Sequence, residues 1–159
     1  MYKFHKKIRL DRDIYASDGV ISSITICTNR RNNWNAIPPF KNRELTTACI
    51  EQLKNDAASY ELPVFAYCFM PNHLHLVISP GVKKDIVEFV GEYKGRTTRT
   101  AWKFGIKGKL WQTSFYDHFL RKEEDIEKVV MYVLNNPVRK GLVSEWREYH
   151  YSGSLVFEL

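Results

Sequence analysis

His73 and His75 flank one leucine in the run His73-Leu-His-Leu-Val-Ile78. Side chains alternate along a strand, so both imidazoles share one face of a sheet, while Leu74, Leu76 and Ile78 take the other. Imidazoles one strand repeat apart can hold a divalent cation, but two ligands do not complete a site. A pair of half-exposed histidines without a ligand would have the same spacing. Tyr132 and Asn136 are placed to add to that pair. They are i and i+4, one face of a helix. The Asn136 amide oxygen suits Mg²⁺ or Mn²⁺ as a third ligand, with water and a phosphate oxygen in the remaining positions. Tyr132, one turn earlier, would stand beside that phosphate. A phenol is a weak nucleophile at neutral pH, and a cation that polarises the phosphoryl group offsets the weakness. With no ligand, the same residues would be a tyrosine packed on a sheet and a helix end before Pro137.

The elements that would carry these residues follow from the apolar pattern. Residues 20–28 are β-branched and read as a first strand. Asn42 can cap a helix to Tyr60, with Leu45, Ala48, Cys49, Leu53 and Ala57 as its apolar stripe. Residues 62–70 form an apolar run of strand length, Pro71-Asn72 interrupts it, and residues 73–78 follow, which predicts a hairpin. Asp85 starts a second helix with Ile86, Phe89, Val90, Tyr93, Thr97 and Ala101 inward, closed by Gly105 and Gly108. Residues 110–120 have the composition of a fourth strand. Lys122-Glu-Glu-Asp125 opens a last helix, its acids in the first turn where the helix dipole favours them. That helix carries Ile126, Val129, Val130 and Val133 and must stop near Asn136. The order β-α-β-β-α-β-α predicts an α+β fold: a ferredoxin-like (RRM-like) antiparallel sheet with helices on one face. The appended C-terminal helix, with Tyr132 on it, is expected on the open face or its edge. One domain is expected over residues 1–159, its core at about 20–143.

Composition narrows the class. The chain has 159 residues, 24 Lys+Arg against 18 Asp+Glu, and a net charge of +6. A hydrophobic content of 44%, with 14% aromatics, excludes a disordered chain, which would bury too little apolar surface to offset its ordering entropy. No apolar run is long enough for a membrane span, and the basic start has no apolar segment behind it to make a secretory signal. Cys27, Cys49 and Cys68 are odd in number and widely spaced, as expected of reduced, buried thiols in a cytoplasmic protein. The positive charge is concentrated. No acid falls between Glu92 and Asp117, while Lys94, Arg96, Arg99, Lys103, Lys107 and Lys109 do. A solvated helix face or a polyanion site would both use that pattern.

The stretch Phe69-Met-Pro-Asn-His-Leu-His-Leu-Val77 resembles the His-hydrophobic-His motif of the Y1 (IS200-like) transposases. Leu110-Trp-Gln-Thr-Ser-Phe-Tyr-Asp-His-Phe-Leu-Arg121, then Glu123-Glu-Asp125, then Tyr132-Val-Leu-Asn-Asn-Pro-Val-Arg-Lys-Gly-Leu-Val143 resemble the REP-associated tyrosine transposases of that superfamily. Trp146 with Tyr149, Ser152 and Ser154 is similar to their closing motif. The resemblance implies a metal held by His73 and His75, with Asn136 as third ligand, and Tyr132 as the nucleophile. It implies single-strand transesterification, in which Tyr132 attacks a phosphodiester to give a 5′-phosphotyrosyl link and a free 3′-OH, reversed on rejoining. It implies Mg²⁺ or Mn²⁺ and single-stranded DNA hairpins as partners. It also implies nucleoid association, with work as a monomer in cis or as a homodimer with exchanged helices.

Recognition of DNA is expected from Arg30 and Arg31 after the first strand, and from Arg96, Arg99 and Lys103, which share one face of the second helix at i, i+3 and i+7. His118 shares a predicted face with Tyr116 and Ser114, and either touches the phosphate or leaving group or is structural. Trp102, Trp111 and Trp146 are candidates for base stacking or for the core. Two other readings compete. A domesticated descendant would bind hairpins without cleaving them. An RNA-binding module shares the fold outline but carries aromatics in place of the paired histidines, and no such aromatic RNA-binding run occurs here.

Overall fold

The computed structural model describes residues 21–29, 37–120 and 125–159. Arg30, Arg31, Glu123 and Glu124 therefore lie outside the described residues. Along β1 (Ser22–Cys27) buried and half-buried residues alternate, which makes a strand with two unlike faces. It is followed by α1 (Arg43–Tyr60), β2 (Val64–Met70), β3 (His73–Ile78), α2 (Ile86–Trp102), β4 (Tyr116–Phe119), α3 (Ile126–Leu134), a short α4 (Asn136–Arg139) and β5 (Ser152–Gly153). The five strands lie in the order β4-β1-β3-β2-β5, every neighbouring pair antiparallel. The first four positions are those that two interleaved β-α-β units produce.

The helices begin where the sequence places a side-chain acceptor. Asn42 accepts from the Leu45 amide at 3.0 Å, Asp85 from the Glu88 amide at 2.8 Å, and Asp125 from the Glu127 amide at 2.9 Å. On one face of the sheet, Ile24, Ile26, Leu74, Leu76, Tyr67 and Phe69 pack with Leu45, Cys49, Leu53, Phe89, Val90 and Tyr93. The other face carries Ala66, Cys68, Met70 and Val77, covered by Val130, Val133 and Leu134 of α3 and by Trp146 and Phe157. The appended helix thus closes the face that α1 and α2 leave open. Each large apolar side chain so buried is worth about 1.5–3 kcal/mol relative to exposure.

Four expectations need correction. The fourth strand is only Tyr116–Phe119, and all four residues are exposed. Upstream, Lys94 Nζ reaches the Gln112 and Ser114 carbonyls at 2.8 and 3.0 Å, so those acceptors serve a side chain, and Trp111 keeps an isolated bridge to Thr28. The last helix is capped by Asp125, with no structure described for its expected first residues. It ends at Leu134, so Asn136 is not on the helix of Tyr132 but opens α4, where Pro137 sits in the first turn and its missing N–H costs nothing. Finally, β5 was not foreseen. A two-residue strand has no periodicity to read, yet it pairs with Tyr67 and Cys68 on β2. Gly153 is required there because a Cβ would stand 2.9 Å from the Tyr67 hydroxyl.

Candidate active site

The sheet register sets the first part of the site. His75 lies opposite Thr25 on β1 and Cys68 on β2, and His73 opposite Cys27 and Met70. Both imidazoles are half-buried on the α3 side, as the alternation predicts. Their Nε2 atoms are 3.0 Å apart and their rings nearly perpendicular, at 89°. Each Nδ1 has an outward partner: Asn72 Oδ1 at 2.7 Å for His73, Thr25 Oγ1 at 3.0 Å for His75.

These partners decide the protons. An amide oxygen only accepts, so His73 carries its hydrogen on Nδ1 and presents a lone pair at Nε2. Without a cation, His75 Nε2–H donates to that lone pair and Thr25 donates to His75 Nδ1. The Thr25 hydroxyl can equally accept, which lets His75 move its hydrogen to Nδ1 and present a second lone pair. The pair therefore fits a cation held by two Nε2 atoms. Burial lowers the His73 pKa, helped by the Lys140 charge. Burial, then His73 and Arg139, lower that of His75 to about 4. Both rings are thus neutral near pH 7, the form that ligates metal. Among the described residues no cluster of three or more His, Cys, Asp or Glu exists, so a third protein ligand would have to be of another type.

The second part of the site comes from the chain around Pro137. Tyr132 is 66% exposed on α3, and Asn136 is buried at 8%. Between them stands Arg139. Its guanidinium lies 3.8 Å from the Tyr132 ring centroid, and its Nη2 donates to Asn136 Oδ1 at 3.0 Å. Its charge also acts on His75 and Cys68. Gly141 turns the chain after α4 with φ of 72°, closing it as a C-terminal glycine does. Lys140 lines a cavity of about 440 Å³ with His73, Asn72, Cys27, Met70 and Leu142. Sequence reading gave Arg139 no role. The available signal was its i+7 spacing from Tyr132, two helical turns. Thr25 had no signal at all, because only the register brings it to His75.

The remaining candidates separate. His118 is exposed on β4, opposite Ser23, on the sheet face of the two histidines but across β1 from them. Arg96 is half-buried and held by partners on two helices. It donates to Asp56 at 3.1 Å and to Tyr60 at 2.7 Å, and pairs with Glu92 at 3.6 Å. Arg99 and Lys103 are exposed. Trp111 and Trp146 are buried, whereas Trp102 is 53% exposed. No described helix is long and apolar enough to cross a membrane.

Residues 19–136 match the family described as transposase, IS200-like, and that span contains both histidines, Tyr132 and Asn136. A Haemophilus influenzae protein provisionally named a REP-associated tyrosine transposase is 25% identical over 111 residues, 62% of each chain. An Escherichia coli protein named REP-associated tyrosine transposase is 28% identical over 88 residues, 55% of this chain and 51% of that one. The match thus spans less than two thirds of either relative. In fold, the chain is similar to a REP-associated tyrosine transposase solved with a REP hairpin, with a TM-score of 0.62, 22% identity, and 96% of this chain and 82% of that one covered. With its family signature spanning well over half of its length, the chain belongs to the IS200-like Y1 transposase family.

Proposed function

We propose that the protein cleaves and rejoins single-stranded DNA beside a hairpin, with Tyr132 as nucleophile. The observation that carries this reading is the facing pair of His73 and His75 Nε2 atoms, 3.0 Å apart, on the face of the sheet that the helix of the exposed Tyr132 covers. The Tyr132 oxygen attacks phosphorus and gives its proton to solvent. The bond from phosphorus to the 3′ oxygen breaks, that oxygen takes up a proton, and a 5′-phosphotyrosyl link remains. Rejoining reverses these steps. A bound Mg²⁺ or Mn²⁺, held by His73, His75 and Asn136, would polarise the phosphoryl group and stabilise its developing charge.

Arg139 orders the protein side of this reaction. A guanidinium on an exposed aromatic ring contributes about 0.5–1 kcal/mol, enough to bias the tyrosine and little enough for an incoming phosphate to displace. Arg139 and Lys140 supply the positive charge the phosphate needs. His118 is the candidate to protonate the leaving 3′ oxygen.

Incubation with hairpins from the DNA flanking the gene, with Mg²⁺ or Mn²⁺, should yield a protein–DNA adduct on a denaturing gel. The adduct should vanish in Tyr132→Phe and His73→Ala. Arg139→Lys keeps the charge but loses the planar fork. It should lower the adduct rate by roughly tenfold and Arg139→Gln by more, in line with loss of one charge-stabilising group. Hairpin binding with no adduct under either metal would make the protein a non-cleaving binder.

A further inference from the structure

A groove of about 370 Å³ runs between α2 and residues 109–113, on the side of the sheet away from the histidines. Lys94, Gly95, Thr98, Arg99, Trp102, Lys109 and Gln112 line it. We infer that this groove takes one unpaired nucleotide of the DNA strand, its base stacked on Trp102 and its phosphate against Arg99. The inference rests on the proposed handling of single-stranded DNA.

Four observations carry it. More than half of Trp102 is exposed, yet the ring does not swing freely, because its Nε1–H donates to the Gly108 carbonyl at 2.8 Å. A pinned, exposed indole is a stacking platform for any base. Second, the charge of Arg99 is unmatched among the described residues. No acid occurs from Tyr93 to Tyr116. Arg99 makes no hydrogen bond or ion pair among the described residues, in contrast to Arg96 one turn away. Third, Gly95 forms the groove wall from within a helix, where glycine is the worst ordinary residue but proline. A Cβ there would meet only the tip of Arg99, at 3.7 Å, so nothing inside the protein requires a glycine. The missing side chain leaves this part of the groove wall open to a ligand, and a larger residue at 95 would fill the groove without clashing with the protein. Fourth, the groove adjoins the active site around one strand. The Gln112 amide donates to the Cys27 carbonyl at 2.8 Å, and Cys27 lines the cavity beside His73. A single strand leaving the histidines round that edge of the sheet meets the groove. Its volume of about 370 Å³ lies in the range of about 300–1,000 Å³ typical of sites for one small ligand.

The test is fluorescence anisotropy with a labelled oligothymidylate of about eight nucleotides, a length within the span of one single-strand site. Trp102→Ala and Gly95→Leu should each weaken binding by roughly tenfold, the loss expected for one stacked base. Gly95→Leu should melt at or above the wild-type temperature, since it fills the groove while favouring the helix, so its loss of affinity cannot come from unfolding. Arg99→Gln should flatten the salt dependence of binding. If both Trp102→Ala and Gly95→Leu bind within twofold of wild type, the groove is not a nucleotide site. Adduct formation through Tyr132, run in parallel, separates the two ideas. Wild type that forms no adduct but loses oligonucleotide affinity in the groove variants sinks only the cleavage reading. An adduct with unchanged affinity sinks only the groove.

Discussion

The two faces of the sheet treat their cations differently. On the α1/α2 face, Arg96 meets the buried Asp56 and the Glu92 carboxylate, Tyr60 bonds to both Arg96 and Glu92, and Lys84 closes the chain to Glu92 at 3.0 Å. Gln52 completes Asp56 at 2.7 Å. Within this network every charge has its opposite, and it ties two helices together, whereas Arg99 on the same helix stands apart from it. On the α3 face, Arg139 and Lys140 have no carboxylate partner among the described residues. They stand with two neutral imidazoles, an exposed tyrosine and a buried amide. Matched charge holds a structure, whereas unmatched charge beside lone pairs waits for an anion and a cation from outside. Lys84, next to the exposed Lys83, belongs to the first kind.

Substitutions should divide along the same line. Tyr132→Phe has the largest expected effect, a loss of adduct of about 10³-fold or more, because the nucleophile itself is removed. Its melting temperature should stay close to wild type, as the hydroxyl of this exposed residue makes no hydrogen bond among the described residues. A large drop in stability would show that the α3 face is structural after all. Leu74, fully buried between the two histidines but on the opposite face, should give the reverse. Leu74→Ala should cost about 3 kcal/mol in urea unfolding by leaving a cavity. Arg96→Ala should cost about 2 kcal/mol, because it strands the buried Asp56 carboxylate, with hairpin cleavage little changed at temperatures where the variant is folded. Loss of cleavage in folded Arg96→Ala would return it to the DNA-binding set.

The smallest effect is a pH dependence. The His75 pKa falls to about 4 on folding. Its unfolded value is about 6.5. Between those values the unfolded chain takes up a proton that the folded one refuses, so stability falls as pH drops through that window. In the presence of a chelator the loss should be about 2 kcal/mol, discounted for the part of the ring that touches solvent. Urea midpoints at pH 7.5 and 4.5 would measure it, and His75→Ala should flatten the slope. An unchanged slope would mean that the imidazole is not held neutral by its surroundings.

Much of this was legible before any coordinates. The β-branched and apolar runs placed β1 to β3 to within two residues, and the Asn42 and Asp85 starts of α1 and α2 were visible because a cap is a local bond. The shared face of His73 and His75 followed from strand alternation alone. The failures were all non-local. Residues 112–115 have strand composition, but Lys94 takes their carbonyls. Arg96 and Arg99 looked alike on one helix, and only the neighbour α1, with Asp56 and Tyr60, made one an internal ion partner and left the other at a groove. Arg30 and Arg31 lie outside the described residues.

What the sequence determined by itself were the chemical parts and their local order: two imidazoles on one strand face, a tyrosine on a helix, an asparagine before a proline. Backbone periodicity and steric limits act over a few residues, so a few residues suffice to read them. What only the tertiary structure decided was which parts meet. The β1–β3 register gave His75 its Thr25 partner, and closure of the open face by α3 put the segment of Tyr132, Asn136 and Arg139 on the sheet face of the two histidines. Those placements join segments far apart in the chain, and burial of apolar surface, which has no direction of its own, fixes them only once the whole core has formed.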